Sequence, residues 1–210
     1  KQGQILDATL VPVPKQRNSR AENQQIKQGK VLEDWPTKPH KQSQKDTDAR
    51  WTKKNGQSYY GYKNHISRDA GHGFIRCYSV TDAAVHDSQV IGQLLDVDNH
   101  DDDVWADSAY LSAAIVDVLA WMGFISHINE RAYRHRPLSD QQKADNRERS
   151  KTRAKVEHVF GTMVNEMGGK LVRTIGLARA EVMLGLKNLT YNLKHFIFWQ
   201  KQDSQAAQTI

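Results

Sequence analysis

The run Ile5-Leu6-Asp7-Ala8-Thr9-Leu10-Val11 constrains the fold more than any other stretch. Apolar residues occupy both sets of alternating positions, and Pro12 and Pro14 close the run. A strand of that pattern is covered on both faces, which puts it inside a sheet flanked by helices. Asp7 interrupts it. A carboxylate in such a strand is costly to bury unless a cation or several donors meet it. An arginine partner and a bound metal ion both satisfy that requirement, and the strand alone leaves the choice open.

Residues 139–170 form the second organising stretch and read as a helix. Ser139 with Gln142 three residues on is a capping-box start, and Pro137 ends the segment before it. Val156, Phe160, Met163 and Met167 then recur as an apolar stripe at helical spacing. Glu157 lies beside that stripe, one turn after Arg153 and among Arg147, Arg149, Lys151 and Lys155. Taken alone, it is as well explained by surface ion pairing as by chemistry.

Between these two stretches the elements alternate. Residues 15–57 are polar and basic and read as a long loop insertion, with a short helix in 19–29 and partial anchoring by Trp35 and Trp51. Residues 58–67 and 73–81 read as a hairpin across a glycine-rich turn. A helix opens at Asp87 or Ser88, with Asp87 the expected N-cap, and a short strand 104–106 ends at Asp107. An apolar helix over 111–122, with Ile115, Val118, Leu119 and Met122 inward, precedes a last strand over 124–128. A final helix spans about 178–200. The expected architecture is α/β, a mixed five-stranded sheet flanked by helices, as one domain over 1–201 with a disordered tail over 202–210.

Composition excludes some classes. The single cysteine, Cys77, rules out an internal disulfide and a thiolate zinc cluster, and fits a reducing compartment. No apolar run is long enough to span a membrane. Lys plus Arg exceeds Asp plus Glu by 30 to 24 over 210 residues. The surplus is uneven: residues 1–58 hold 12 basic and 6 acidic side chains, and 131–155 hold nine and three. Two separate basic blocks point towards a polyanion. The chain opens on Lys1, which suggests a fragment whose natural N-terminal part is absent.

Asp7, Asp107 and Glu157 fall within the first strand, at the end of the fourth and on the helix after the fifth. Neighbouring strands and a crossing helix can bring the three together. Hard oxygen ligands without a Cys or His cluster favour Mg²⁺ or Mn²⁺ over zinc. Two such ions about 4 Å apart suit in-line phosphoryl transfer, and the basic flanks suit a phosphodiester backbone.

At this point the residues resemble a family: bacterial insertion-sequence transposases with a DDE catalytic domain of ribonuclease-H-like fold. Ile5 to Thr9 resembles their first-aspartate segment, and Trp51 with Tyr60-Gly61-Tyr62-Lys63 their tryptophan and Gly-Tyr-Lys signature. Thr81 to Ser88 resembles the next block, Trp105 to Tyr110 the second-aspartate motif, and Arg153 to Phe160 the glutamate motif. Asn188-Leu189 and Asn192-Leu193 match an Asn-Leu pair in the last helix. Ser150 and Val164 stand where many relatives carry a tyrosine and a lysine, with Lys155 and Lys170 as possible substitutes. The interval from Asp107 to Glu157 is too short for the large insertion domain of some relatives, and the N-terminal helical region that usually binds transposon ends is missing.

The resemblance implies a ribonuclease-H-like DNA transposase catalytic domain, with Asp7, Asp107 and Glu157 as catalytic residues and metal ligands. Asp7 would bridge two ions, and Asp107 and Glu157 would each help hold one. Lys53, Lys54, Lys63, Arg149, Arg153 and Lys155 are the expected DNA contacts. The expected partners are double-stranded DNA and a second copy of the chain, in the bacterial cytoplasm and on the nucleoid. A hydrolysis-only nuclease of the same fold, and a catalytically silent DNA-binding remnant, are the alternatives. Packing or capping is the expected role of His65, His86, His127 and His158, and packing that of Tyr110. Asp82 stands evenly between a strand-end role and support of the site.

Overall fold

A computed structural model of the chain describes residues 2–16, 18–30, 32 and 35–208. Strand β1 (Gln4–Pro12) runs through the middle of the sheet. Ile5 packs on one side with Val156, Val159 and Phe160, and Leu6 on the other with Leu94, Val104 and Leu119. Both faces are therefore covered, as the double apolar pattern requires.

Two short helices follow, α1 (Arg20–Lys27) and α2 (Pro39–Ser43), then β2 (Arg50–Lys54), β3 (Gln57–Asp69) and β4 (Ile75–Asp82). α3 (Ile91–Leu94), β5 (Asp103–Ala106), α4 (Ala113–Trp121) and β6 (Ile125–Ile128) come next. α5 (Asp140–Arg153), α6 (Glu157–Glu166) and α7 (Leu177–Gln208) complete the chain. The sheet order is β2-β3-β1-β5-β6, with β4 also on β3. β1 is antiparallel to β3 and parallel to β5, and β5 is parallel to β6, so the sheet is mixed. Residues of α3 and α4 pack on the Leu6 face, and those of α6 and α7 on the Ile5 face.

The five expected strands are present, and a sixth joins them. Asn55 and Gly56 take positive φ of 52° and 77° between β2 and β3, the left-handed pair of a two-residue hairpin turn. The segment 15–57 is consequently not a loop throughout. Ile26, Leu32 and Trp35 bury one another in a small cluster of their own. The buried Asp46 accepts from the Tyr62 hydroxyl at 2.7 Å and from the backbone N–H groups of Asp48 and Ala49. The Tyr60 hydroxyl donates to the Asp46 carbonyl. Two tyrosines of β3 thus moor the insertion. Gly61 between them has φ +151°, and a Cβ there would run into the Val11 carbonyl oxygen.

Other expectations change in detail. The helix over 139–170 is broken: Ala154–Val156 tightens to a 3₁₀ turn between α5 and α6. Its capping box at Ser139 is formed, and Val156, Phe160 and Met163 are buried as the stripe requires. His86, not Asp87, caps the turn before α3, accepting from Ser88 N. On α4 only Leu119 is fully buried; Val118 and Met122 face out. The last helix continues past residue 201 to Gln208, and residues 209 and 210 of the expected tail lie outside the described residues.

Candidate active site

The parallel register Leu6↔Ala106 brings Asp7 and Asp107, each the next residue, to adjacent positions on β1 and after β5. Because Leu6 and Ala106 point into the α4 side, the alternation of the strands turns Asp7 and Asp107 to the opposite face, over which α6 runs. Glu157 is the first residue of α6, where a carboxylate complements the helix dipole. A cleft of about 560 Å³ is lined by all three, together with Thr9, Arg153 and Lys170. A second hollow of about 290 Å³ shares Asp7 and Asp107 and continues to Lys53, Lys54 and Lys63.

Asp7 is largely but not fully enclosed, its side chain 14% exposed. Its Oδ1 accepts from Ala8 N at 2.7 Å, and its Oδ2 from Arg153 Nη1 at 3.1 Å. Burial pushes its carboxyl up to about 6; the Ala8 bond and Arg153 oppose that shift, and Glu157 and Asp107 add to it. Asp107 accepts from Ala109 N and Ser108 Oγ, which fixes it at the start of a 3₁₀ turn. Glu157 is mostly exposed, with Oε1 3.9 Å from Arg153 Nη1. Among the described residues no three His, Cys, Asp or Glu side chains stand close enough to hold an ion together. Arg153 links two of the carboxylates instead. The donor set is nevertheless suited to a hard divalent cation: three carboxylates face one cleft, and mutual repulsion helps to raise the pKa of Asp7.

The expected cations divide. Lys54 lines both the cleft and the second hollow, Lys53 the second hollow, and Arg153 the cleft. Lys63 lines the second hollow, where its Nζ donates to Asp87 at 2.8 Å and to the Val85 carbonyl. Arg149 is turned to the Ile128 carbonyl and Glu130, and Lys155 to the Ala70 carbonyl; neither lines the cleft. Lys170 does. Its Nζ donates to Thr9 Oγ1 at 2.6 Å and lies over the Phe160 ring, and burial lowers its pKa.

His86 lines the second hollow with Asp7 and Asp107, where its Nδ1 pairs with Ser88 Oγ at 2.8 Å; His65, His127 and His158 line neither hollow. His65 is buried against Thr81 and Asp87, and burial brings it down to about 4. His127 pairs with Asp103 and stacks on Trp105. His158 lines a different hollow, between α6 and α7. Asp82 accepts from Ala84 N in the turn after β4, and Tyr110 is fully buried in the α4-side core.

A mixed sheet with acidic residues on adjacent parallel strands, and a third on a helix crossing their face, defines a ribonuclease-H-like protein of the DDE transposase type. The chain matches the family model described as Transposase DDE domain over residues 1–193, and it belongs to that family. It is also similar to the transposase for insertion sequence element IS1106 from Neisseria meningitidis serogroup B, at 36% identity over 149 residues. That alignment covers 71% of this chain and 51% of the relative, so the match spans about half the relative's length. No solved structure matches the chain.

Proposed function

We propose that this chain is the catalytic domain of a DNA transposase that cuts at transposon ends and transfers the freed 3′-hydroxyl into target DNA. The observation that carries the reading is the adjacency of Asp7 and Asp107 on parallel strands, with Glu157 facing the same cleft. Asp7, Asp107 and Glu157 would hold Mg²⁺ or Mn²⁺, as two ions, supplying activation of the attacking oxygen and charge stabilisation on the leaving one. The remaining work falls to the chain. Lys53, Lys54 and Lys170 present positive charge along the cleft and the second hollow to a phosphodiester backbone. Arg153 orients Asp7 and neutralises the approach of the DNA phosphates to three carboxylates.

Double-stranded DNA is the substrate at both steps, and two copies of the chain act together on paired ends. The setting is the bacterial cytoplasm, with the protein on the nucleoid; among the described residues no helix is long and apolar enough to cross a membrane.

The test uses two radiolabelled substrates, an intact transposon end and one already cut to a 3′-hydroxyl, with Mg²⁺ and a target duplex. Joined product from the pre-cut end supports transposition. Hydrolysis without joining favours a nuclease, and salt-sensitive binding with neither product sinks the catalytic reading.

A further inference from the structure

The hollow between α6 and α7 shares no residue with the two hollows that hold the carboxylates. Its volume is about 290 Å³, at the small end of the range that takes a compact organic molecule. Arg68 lines it from β3. In the β1–β3 register Arg68 stands opposite Ile5, and opposed residues share a face, so it points to the α6 side of the sheet.

Arg68 is only 7% exposed. Its Nη1 donates to the Asp69 carbonyl at 3.1 Å, and its Nε is buried with no hydrogen-bond partner. The neighbouring Asp69 carboxylate is taken by Arg76 and His72, and no carboxylate stands within ion-pair distance of Arg68 among the described residues. A buried charge without a counter-charge is costly, and the guanidinium fork matches a carboxylate in shape. The other groups of the hollow do not supply one. Lys194 pairs with Glu166, and burial lowers the pKa of His195, with Arg68 adding to that shift, so its ring is neutral at pH 7.

The walls are flat and apolar. Tyr191, His195 and Phe198 follow one another along α7 with rings near parallel, 12° between the first two and 14° between the second two. Tyr191 is buried, whereas Phe198 is half exposed and offers its ring to a planar group. Charge narrows the occupant further. One uncompensated guanidinium balances one negative charge, which suits a carboxylate better than a phosphate dianion. A DNA strand is a poor fit, because backbone binding draws on several free cations and Lys194 is engaged by Glu166.

We propose that this hollow binds a small aromatic monocarboxylate, with the carboxylate on Arg68 and the ring against Phe198. Benzoate is the probe. In calorimetry the wild-type chain should bind one equivalent saturably, at millimolar concentration or below, and nuclear Overhauser contacts should run from the benzoate ring protons to Phe198. Arg68→Gln should weaken binding at least about tenfold by removing the charge-assisted pair. Phe198 is half exposed, so Phe198→Ala should keep the fold, and it should weaken binding about three- to tenfold. Benzyl alcohol, which lacks the charge, and cyclohexanecarboxylate, which lacks the flat ring, should both bind less tightly than benzoate. None of these residues lines a carboxylate hollow, so the result stands apart from whether the chain transposes DNA.

Absence of saturable benzoate binding overturns the proposal, as does binding unchanged in either variant. Inorganic phosphate that binds as tightly as benzoate would also overturn it, by showing a general anion site. Should Arg68→Gln fail to fold, Phe198→Ala and the benzyl alcohol comparison still decide.

Discussion

Arg153 Nη1 donates to Asp7 Oδ2 at 3.1 Å and lies 3.9 Å from Glu157 Oε1, so one guanidinium serves two carboxylates of the cleft. It links β1 to the junction of α5 and α6 and stands in the position of a competing cation. Replacing it by alanine should move the Asp7 carboxyl above its present value of about 6, because Arg153 is one of the two influences that lower it. The same change should strengthen divalent-ion binding while weakening binding to DNA. Carbon-detected NMR titration of Asp7 in the metal-free protein checks the first point. A downward shift would contradict the pairing.

The raised carboxyl of Asp7 sets a pH dependence of stability in the metal-free protein. Its folded value, about 6, lies above the ordinary 3.8, so the folded chain holds the proton more tightly than the unfolded one. The stabilising contribution of this group is complete below about 3.8 and is lost as the pH rises through about 6. Asp7→Asn removes that loss, and at pH 7 should stabilise the fold by on the order of 3 kcal/mol. Urea denaturation with a chelator at pH 4 and pH 7 reads the difference. An equal effect at both values would refute the electrostatic origin.

Lys170 lines the cleft and Lys63 the second hollow beside it, and the two should behave differently. Lys170 donates to a threonine hydroxyl and faces no carboxylate partner within ion-pair range among the described residues, so Lys170→Gln should weaken DNA binding and reduce the salt slope by about 1. Lys63 is bound to Asp87 at 2.8 Å, and its side chain is largely buried. Lys63→Gln should cost about 1–3 kcal/mol in stability by leaving that carboxylate short of a partner. Filter binding across a salt series, paired with thermal melts, separates the two.

Asp46 should matter to folding although it is far from the cleft chemistry. It accepts from the Tyr62 hydroxyl and from two backbone N–H groups, all with little water available. Asp46→Ala strands those donors, and a loss of about 3 kcal/mol is expected in chemical denaturation. Limited proteolysis should then cut within 15–57 first. An unchanged midpoint would show that the insertion is moored by something else.

Much of this arrangement is visible in the residues themselves. The doubly apolar β1 strand, the capping box of Ser139 and the Val156–Met163 stripe depend on local period and local cap chemistry, and all appear as read. The β2 strand does not announce itself, because its side chains alternate little in polarity and lie mostly on the surface. Asn55-Gly56 is the signal that could reveal it. Lys170 reaches Thr9 only through the fold, since 161 residues separate them. On α7 the period marks an apolar stripe but not which side meets the sheet. There Asn188 and Asn192 turn inwards beside Leu184, where backbone and amide groups receive them, and Leu186, Leu189 and Leu193 turn out.

The central claim is that Asp7, Asp107 and Glu157 form one divalent-metal site. Manganese titration followed by electron paramagnetic resonance tests it without any DNA substrate. Binding by the wild type should be saturable, and Asp7→Asn, Asp107→Asn and Glu157→Gln should each weaken it by at least about tenfold, since even outer partners of a metal are worth that much. Three variants that bind Mn²⁺ as the wild type does would contradict the account.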